Sequence, residues 1–267
     1  HGDVARQMLR AAGHGYFDSP HDALKVLSVL ARRKPPPPRA PPQPGVSVAA
    51  DLPAGFLTEP QARRLLEGAG IPTTRWRFAA GADAAAQAAR ELGGSVAIKA
   101  VSAHIVHKSD MGGVKLGLQG DAAVRQACAD IAAAARAAGV DTLDGYLVTE
   151  MWRADTELIL GVQRDPDFGP LVMVCAGGVL VELMKVVAPA PLSHATALAM
   201  LRQLRCLPLL SGYRGRTPAD LDAIADVMVR LGALAADPSA RLRELDINPL
   251  FIAGPRIAAA DARATLA

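Results

Sequence analysis

The chain has 267 residues and a mass of 27.8 kDa, enough for one large domain or two ordinary ones with a real core. Half of its residues are hydrophobic, only 4% are aromatic, and 29 basic against 26 acidic side chains leave a net charge of +3, too balanced to suggest a nucleic-acid partner. No apolar run reaches the roughly 20 residues that span a bilayer. The charged N-terminus lacks a secretory pattern, and Cys128, Cys175 and Cys206 fit neither a metal spacing nor complete disulfide pairing, so a reducing, cytoplasmic setting is expected.

In chain order, residues 1–33 read as two short helices, "DVARQMLRAAG" and "DALKVLSVLARR", too little to bury a core alone. Residues 34–54 hold "PPPPRAPPQPG", whose prolines fix φ and remove donors, so an extended polyproline linker is expected. The chain opens on His1, which fits a fragment of a longer polypeptide. Residues 55–267 form the main domain. "LTEPQARRLLEGAGI" predicts a helix with Thr58 as N-cap, Pro60 in its first turn and Gly70 as its stop. There follow a strand "TTRWRFA", a helix "DAAAQAARELG", a strand "SVAIKAV" and a long helix "DAAVRQACADIAAAARAAG", a mixed α/β order. The second half adds strands "GYLVTEM", "TELILGVQR", "LVMVCAGG" and "VLVELMKVV", with the turn "DPDFGP". Helices "HATALAMLRQL" and "PADLDAIADVMVRLGALAA" precede closing strands "RELDINPLFIA" and "RIAAADA".

Several of these stretches carry chemistry. Lys99 lies in an otherwise apolar strand, where an ammonium must snorkel, pair or bind a ligand. The loop "HKSDMGGV" follows it. Gly112 and Gly113 allow positive φ and close backbone approach, and Lys108, Ser109 and main-chain N–H groups suit a phosphate. Glu150 and Glu157 end consecutive strands and can converge on one cleft, although either alone reads as a surface acid. Asn248 and Asp261 sit on the closing strands as hard oxygen donors of the kind that hold Mg²⁺ shared with phosphates, or as a turn asparagine and a strand-edge aspartate.

Together "AIKAVSAHIVHKSDMGGVKLGL", "LVTEM", "TELILGVQRDPDFGP", "GGVLVEL", "GYRG" and "ELDINPLFI" with "AADAR" resemble the ATP-grasp portion of the NDP-forming acyl-CoA synthetases, relatives of the succinyl-CoA synthetase β subunit. The resemblance covers residues 57–267. It implies an α/β (α+β) ATP-grasp fold of two subdomains clasping Mg²⁺ with ATP or ADP, and the reaction acyl-CoA + ADP + Pi ⇌ carboxylate + CoA + ATP. It implies nucleotide contacts for Lys99, Lys108, Ser109, Gly112, Gly113, Glu150, Met151 and Glu157, with Glu150 and Met151 as the adenine hinge. Metal ligands are implied at Asn248 and Asp261, assisted by Asp246, and a phosphohistidine relay at His107, with His104 as competitor. Residues 1–33 then match the end of a preceding CoA-ligase portion. The implied partners are CoA-binding and CoA-ligase domains, acyl-CoA and an oligomer of the full-length protein. The chain alone is expected to bind nucleotide without turnover. One departure stands out. After "GGVLVEL" the family continues with an aspartate and an arginine, whereas here Val186 replaces the acid and the arginine is missing. That departure also admits a rival reading, a decayed ATP-grasp scaffold in a protein acyltransferase.

Overall fold

A computed structural model describes residues 2–12, 17, 19–32, 49, 51–103, 111–177, 185–215 and 217–267. The chain divides into His1–Pro38 and Arg39–Ala267. The first unit contains helices α1 (Gly2–Ala11) and α2 (Pro20–Arg32), with Val4, Met8, Leu24 and Leu27 largely exposed. The proline run lies outside the described residues.

The main unit holds two sheets. It opens with β1 (Gly55–Phe56) and α3 (Glu59–Gly68), whose start is closed by Thr58 donating its N–H to Gln61 Oε1 at 2.8 Å. Next come β2 (Trp76–Ala79), α4 (Ala82–Leu92), β3 (Val96–Val101), β4 (Val114–Leu118), α5 (Asp121–Ala137) and β5 (Gly145–Glu150). These four strands form the smaller sheet in the order β2-β5-β3-β4. One face of that sheet, carrying Val96, Ile98, Ala100 and Val148, packs on α4 and α5 through Ala85, Val124 and Ile131. Period-two alternation turns Ala97, Lys99 and Val101 to the opposite face.

The larger sheet contains β6 (Thr156–Asp165), β7 (Gly169–Ala176), β8 (Val186–Pro189), β9 (Leu242–Ala253), β10 (Arg256–Ala259) and β11 (Ala262–Leu266), ordered β1-β11-β9-β6-β7-β8 with β10 also on β9. Helices α6 (His194–Arg202), α7 (Leu207–Leu210) and α8 (Leu221–Ala236) lie between β8 and β9 in the chain. Leu158, Leu160, Val172, Val174, Leu245, Ile247 and Ala264 join Met200, Ile224, Met228 and Leu231 in the main core. The residues alternating with these, Gly161, Met173, Asp246 and Arg263 among them, therefore belong to the other face, which is more polar.

Among the described residues every named strand pair is antiparallel, so the mixed helix and strand order expected from the sequence builds an α+β domain. Two details differ from the sequence expectation. "VKLGL" forms β4, which Gly117 at φ +73° hides from strand propensity. The final "RIAAADA" splits into β10 and β11, with Ala260 and Asp261 at the corner. The "DPDFGP" hairpin is as expected: Asp165 Oδ1 accepts from the N–H groups of Asp167 (2.8 Å) and Phe168 (2.9 Å). His194 is the first helical residue of α6. Ser193 caps α6, its Oγ accepting from Thr196 N–H at 3.1 Å.

Candidate functional site

Lys99 leaves the middle of β3 on the face away from α4 and α5 and meets the larger subdomain. Its Nζ donates to Glu59 Oε1 (2.8 Å), Asp261 Oδ2 (2.7 Å) and the Ala260 carbonyl (3.2 Å). An ammonium has three N–H donors, and these three acceptors match them. The sequence alternatives of pairing and ligand binding thus meet at one residue: Lys99 is paired, and one of its partners is an expected metal ligand. Beneath it, the fully buried Arg63 donates to Glu59 (3.2 Å from Nε), to Thr74 O (3.2 Å) and Oγ1 (3.1 Å), and to Ala260 O. Glu59 and Arg63 were not singled out from the sequence. An acid in a helix's first turn with a basic residue four positions on reads as dipole compensation and a surface pair.

Asn248 and Asp261 face each other across the closing strands, Asn248 N–H donating to Asp261 O at 3.2 Å. The β6–β9 ladder shifts register here, Leu158 pairing with Leu250 but Leu160 with Ile247. The extra residue exposes Asn248 at a bulge, a feature that commonly re-aims a side chain beside a site. Asp246 lies opposite Arg263 and Gly161 on the neighbouring strands. Burial pushes the Asp246 carboxyl above its ordinary range; Arg263 opposes this, and Asp261 and Glu244 reinforce it. Among the described residues no group of three or more His, Cys, Asp or Glu could enclose a metal. Asn248 and Asp261 offer two hard oxygens on one edge. That donor set fits Mg²⁺, which takes few protein ligands and completes its shell with phosphate and water.

Asp246 also lines a groove of about 440 Å³ with Gly161, Met173, Lys185, Val187 and Arg263. Val186, which the resemblance sets in place of an aspartate, packs against the helix-side core, while its neighbour Lys185 opens on the groove.

The Glu150 carboxylate is occupied. Oε1 accepts from Arg75 N–H (2.8 Å) and Trp152 Nε1 (2.9 Å), and Oε2 from Arg75 Nε (2.8 Å). Burial alone would raise its pKa, yet these donors and the guanidinium charge hold it below the ordinary 4.5. Met151 donates its N–H to Ser95 O (3.0 Å), with an exposed side chain. Any purine contact by the Glu150–Met151 segment therefore falls to carbonyl groups and the Met151 side chain. Because its native pKa is lowered, Glu150 contributes stability above its unfolded value, and this is lost as pH falls through the native one. Glu150→Gln should lower the melting temperature at neutral pH, and the gap to the parent should narrow as pH falls below the ordinary 4.5. A gap constant through the acid range would refute the clamp.

Glu157 is exposed near the start of β6 and lines a cleft with Asp155, Gly177 and Cys206. Gly177 N–H donates to Glu157 O at 2.8 Å, and a Cβ on Gly177 would stand 2.9 Å from Glu157 Cβ, so only glycine fits there. Gly112 has φ +73°, as expected of the loop, whereas Gly113 is not among the positive-φ residues and accepts from Ala100 N–H at 2.8 Å. His104, His107, Lys108 and Ser109 lie outside the described residues, as does the Arg214 side chain. Burial raises Cys128 to about 11 and lifts Cys175 and Cys206, so these thiols are not activated.

Two antiparallel sheets thus meet with a lysine of the smaller one against oxygen donors at the edge of the larger one. The profile of the ATP-grasp domain family matches residues 49–266, and the chain belongs to that family, in the branch of the ADP-forming acetate–CoA ligases. It is 38% identical over 213 residues to the β subunit of acetate–CoA ligase [ADP-forming] I of Pyrococcus furiosus, covering 79% of this chain and 91% of the relative. Against acetate–CoA ligase [ADP-forming] I of Archaeoglobus fulgidus it is 32% identical over 99% of its own length, but that spans only 40% of the relative. The solved structure of Ca. Korarchaeum cryptofilum acetyl-coenzyme A synthetase 1 with coenzyme A and Ca-AMPCP superposes with a TM-score of 0.77 at 37% identity, over 82% of this chain and 96% of that one.

Proposed function

We propose that the chain is the nucleotide-binding, phosphoryl-transferring part of an ADP-forming acyl-CoA synthetase, working on acyl-CoA + ADP + Pi ⇌ carboxylate + CoA + ATP. The observation that carries this reading is the meeting of Lys99 with Asp261, from opposite sheets, at one point. Phosphoryl transfer asks for positioning and charge neutralisation more than for covalent chemistry by side chains. Lys99 is assigned to phosphate, with Lys108, Ser109 and the backbone at Gly112 and Gly113 completing the cradle. The Glu150–Met151 segment and Glu157 are assigned to adenine and ribose. Asn248 and Asp261, with Asp246 assisting, would hold Mg²⁺, which when bound neutralises phosphate charge. Lys185 or Arg214 is assigned to supply a cation where the family's arginine is missing. His107 is assigned to the relay of the phosphoryl group.

Residues 1–33 are read as the end of a preceding CoA-ligase portion and residues 34–54 as the linker. The Archaeoglobus fulgidus relative, of which this chain spans less than half, leaves room for such other portions. The CoA and acyl sites are assigned to those other portions, the full-length protein to an oligomer, and the whole to the cytoplasm. No described helix is long and apolar enough to cross a membrane. A decayed acyltransferase scaffold is disfavoured by the near-complete match to a ligase β subunit. Calorimetric titration should show Mg-ADP and Mg-ATP binding to the chain without acyl-CoA-dependent ATP synthesis. Absence of nucleotide binding would overturn the reading.

A further inference from the structure

The Glu150 side chain stands on the side of the smaller sheet away from Lys99. In the β3–β5 ladder Lys99 pairs with Leu147, whereas Glu150 pairs with Val96 and Val148 with Ile98, and Val96, Val148 and Ile98 belong to the core under α4 and α5. Opposed residues share a face and successive ones alternate, so the carboxylate lies on the helix side. Arg75, whose Nε holds Oε2, also donates from Nη2 to the Leu92 carbonyl at the end of α4 (2.9 Å). Met151, whose N–H continues the ladder to Ser95, turns its exposed side chain to the Lys99 face.

The carboxylate also alters the ladder. Glu150 N–H donates to Arg75 O at 3.0 Å. In a regular antiparallel pair two residues joined in this way exchange both bonds, so Arg75 N–H would return to the Glu150 carbonyl. It goes to Oε1 instead, at 2.8 Å. The carbonyl is left as an acceptor where the chain passes from β5 to β6 and the larger sheet. Trp152 fixes the arrangement. Its Nε1 donates to the same Oε1 (2.9 Å), and the Arg256 guanidinium of β10 lies over its ring at 4.6 Å.

Resting on the nucleotide reading above, we infer that Glu150 is a positioning residue, with Arg75 and Trp152 as its partners. Its carboxylate stays behind the sheet and does not touch the nucleotide. By taking the Arg75 N–H it frees its own carbonyl to accept from an N–H donor on the base, which in ADP is the amino group of adenine. The segment therefore selects a base that presents such a donor.

The test is titration of the whole chain, in excess Mg²⁺, with ADP and with the diphosphate of unsubstituted purine riboside, which lacks the amino group. The readout is the ratio of the two Kd values. The parent should bind ADP about tenfold tighter, the scale of one hydrogen bond left unmade. Glu150→Ala returns the Arg75 N–H to the carbonyl, and its ratio should fall towards one. Glu150→Gln keeps an oxygen for that N–H and should hold the parent ratio. A role in folding alone would weaken both ligands together and leave the ratio unchanged in Glu150→Ala. That result overturns the inference, as does a parent that binds the two diphosphates alike. If Glu150→Ala does not fold by circular dichroism, Glu150→Met, which fills the space without an acceptor, carries the same comparison. A parent chain that binds neither ligand would instead refute the nucleotide reading itself.

Discussion

Replacing Lys99 with alanine should cost the domain both its ligand and much of its stability. The ammonium is bound to Glu59, which is completely buried at the side chain, and to Asp261, which is 30% exposed. Breaking a buried pair by removing one partner costs about 3–5 kcal/mol, because the remaining charge is left uncompensated. Arg63 still covers Glu59 in the variant, which places the expectation near the lower end, about 3 kcal/mol. Denaturant unfolding measures this directly. In the same variant ADP binding should weaken by more than about tenfold, or about 1.4 kcal/mol, through loss of a charge-assisted phosphate contact. The two readouts separate the two roles. Lower stability with unchanged ADP affinity would leave Lys99 as a structural strut and remove it from the nucleotide site.

How much of this was legible in the sequence follows from the range over which each signal acts. Local signals were legible. The start of α3, the turn at Asp165 and the helical periods of α5 and α8 depend on residues a few positions apart, and they stand where propensity and spacing place them. Lys99 was conspicuous because a lysine in an apolar strand needs an explanation. Its partners were not, since Glu59 lies 40 positions before it and Asp261 lies 162 after it. Nothing in "TEPQARR" distinguishes a buried Glu–Arg pair from a surface pair at the same spacing. Antiparallel pairing was hidden for a related reason. β3 and β5 are sheet neighbours although β4 and α5 intervene in the chain, and the alternation of strand and helix points equally well to a parallel crossover. Val186 illustrates a register effect. A departure from the family pattern reads as a lost acid, yet the strand turns that position towards the helix-side core and leaves Lys185 facing the groove.

Asp261→Asn should give opposite results with and without metal. In this structure Asp261 holds Lys99 through Oδ2 at 2.7 Å. With Mg²⁺ present, an amide is a poorer ligand than a carboxylate for a hard cation. In the full-length enzyme the transfer rate should therefore fall on the order of 100-fold, the scale of removing one electrostatic stabiliser from a transition state. Without metal, the variant removes a negative charge that repels phosphate and weakens the hold on Lys99. ADP in EDTA should consequently bind tighter, by about fivefold, from a single charge acting at short range in a partly exposed site. Combining the change with Lys99→Ala separates the two causes. If the tightening vanishes in the double variant, it came through the released lysine; if it persists, it came from reduced repulsion alone. A purely structural ion pair predicts a third pattern, lower stability with both affinities reduced. That pattern would remove Asp261 from the metal site and require the metal to bind through Asn248 and Asp246 instead.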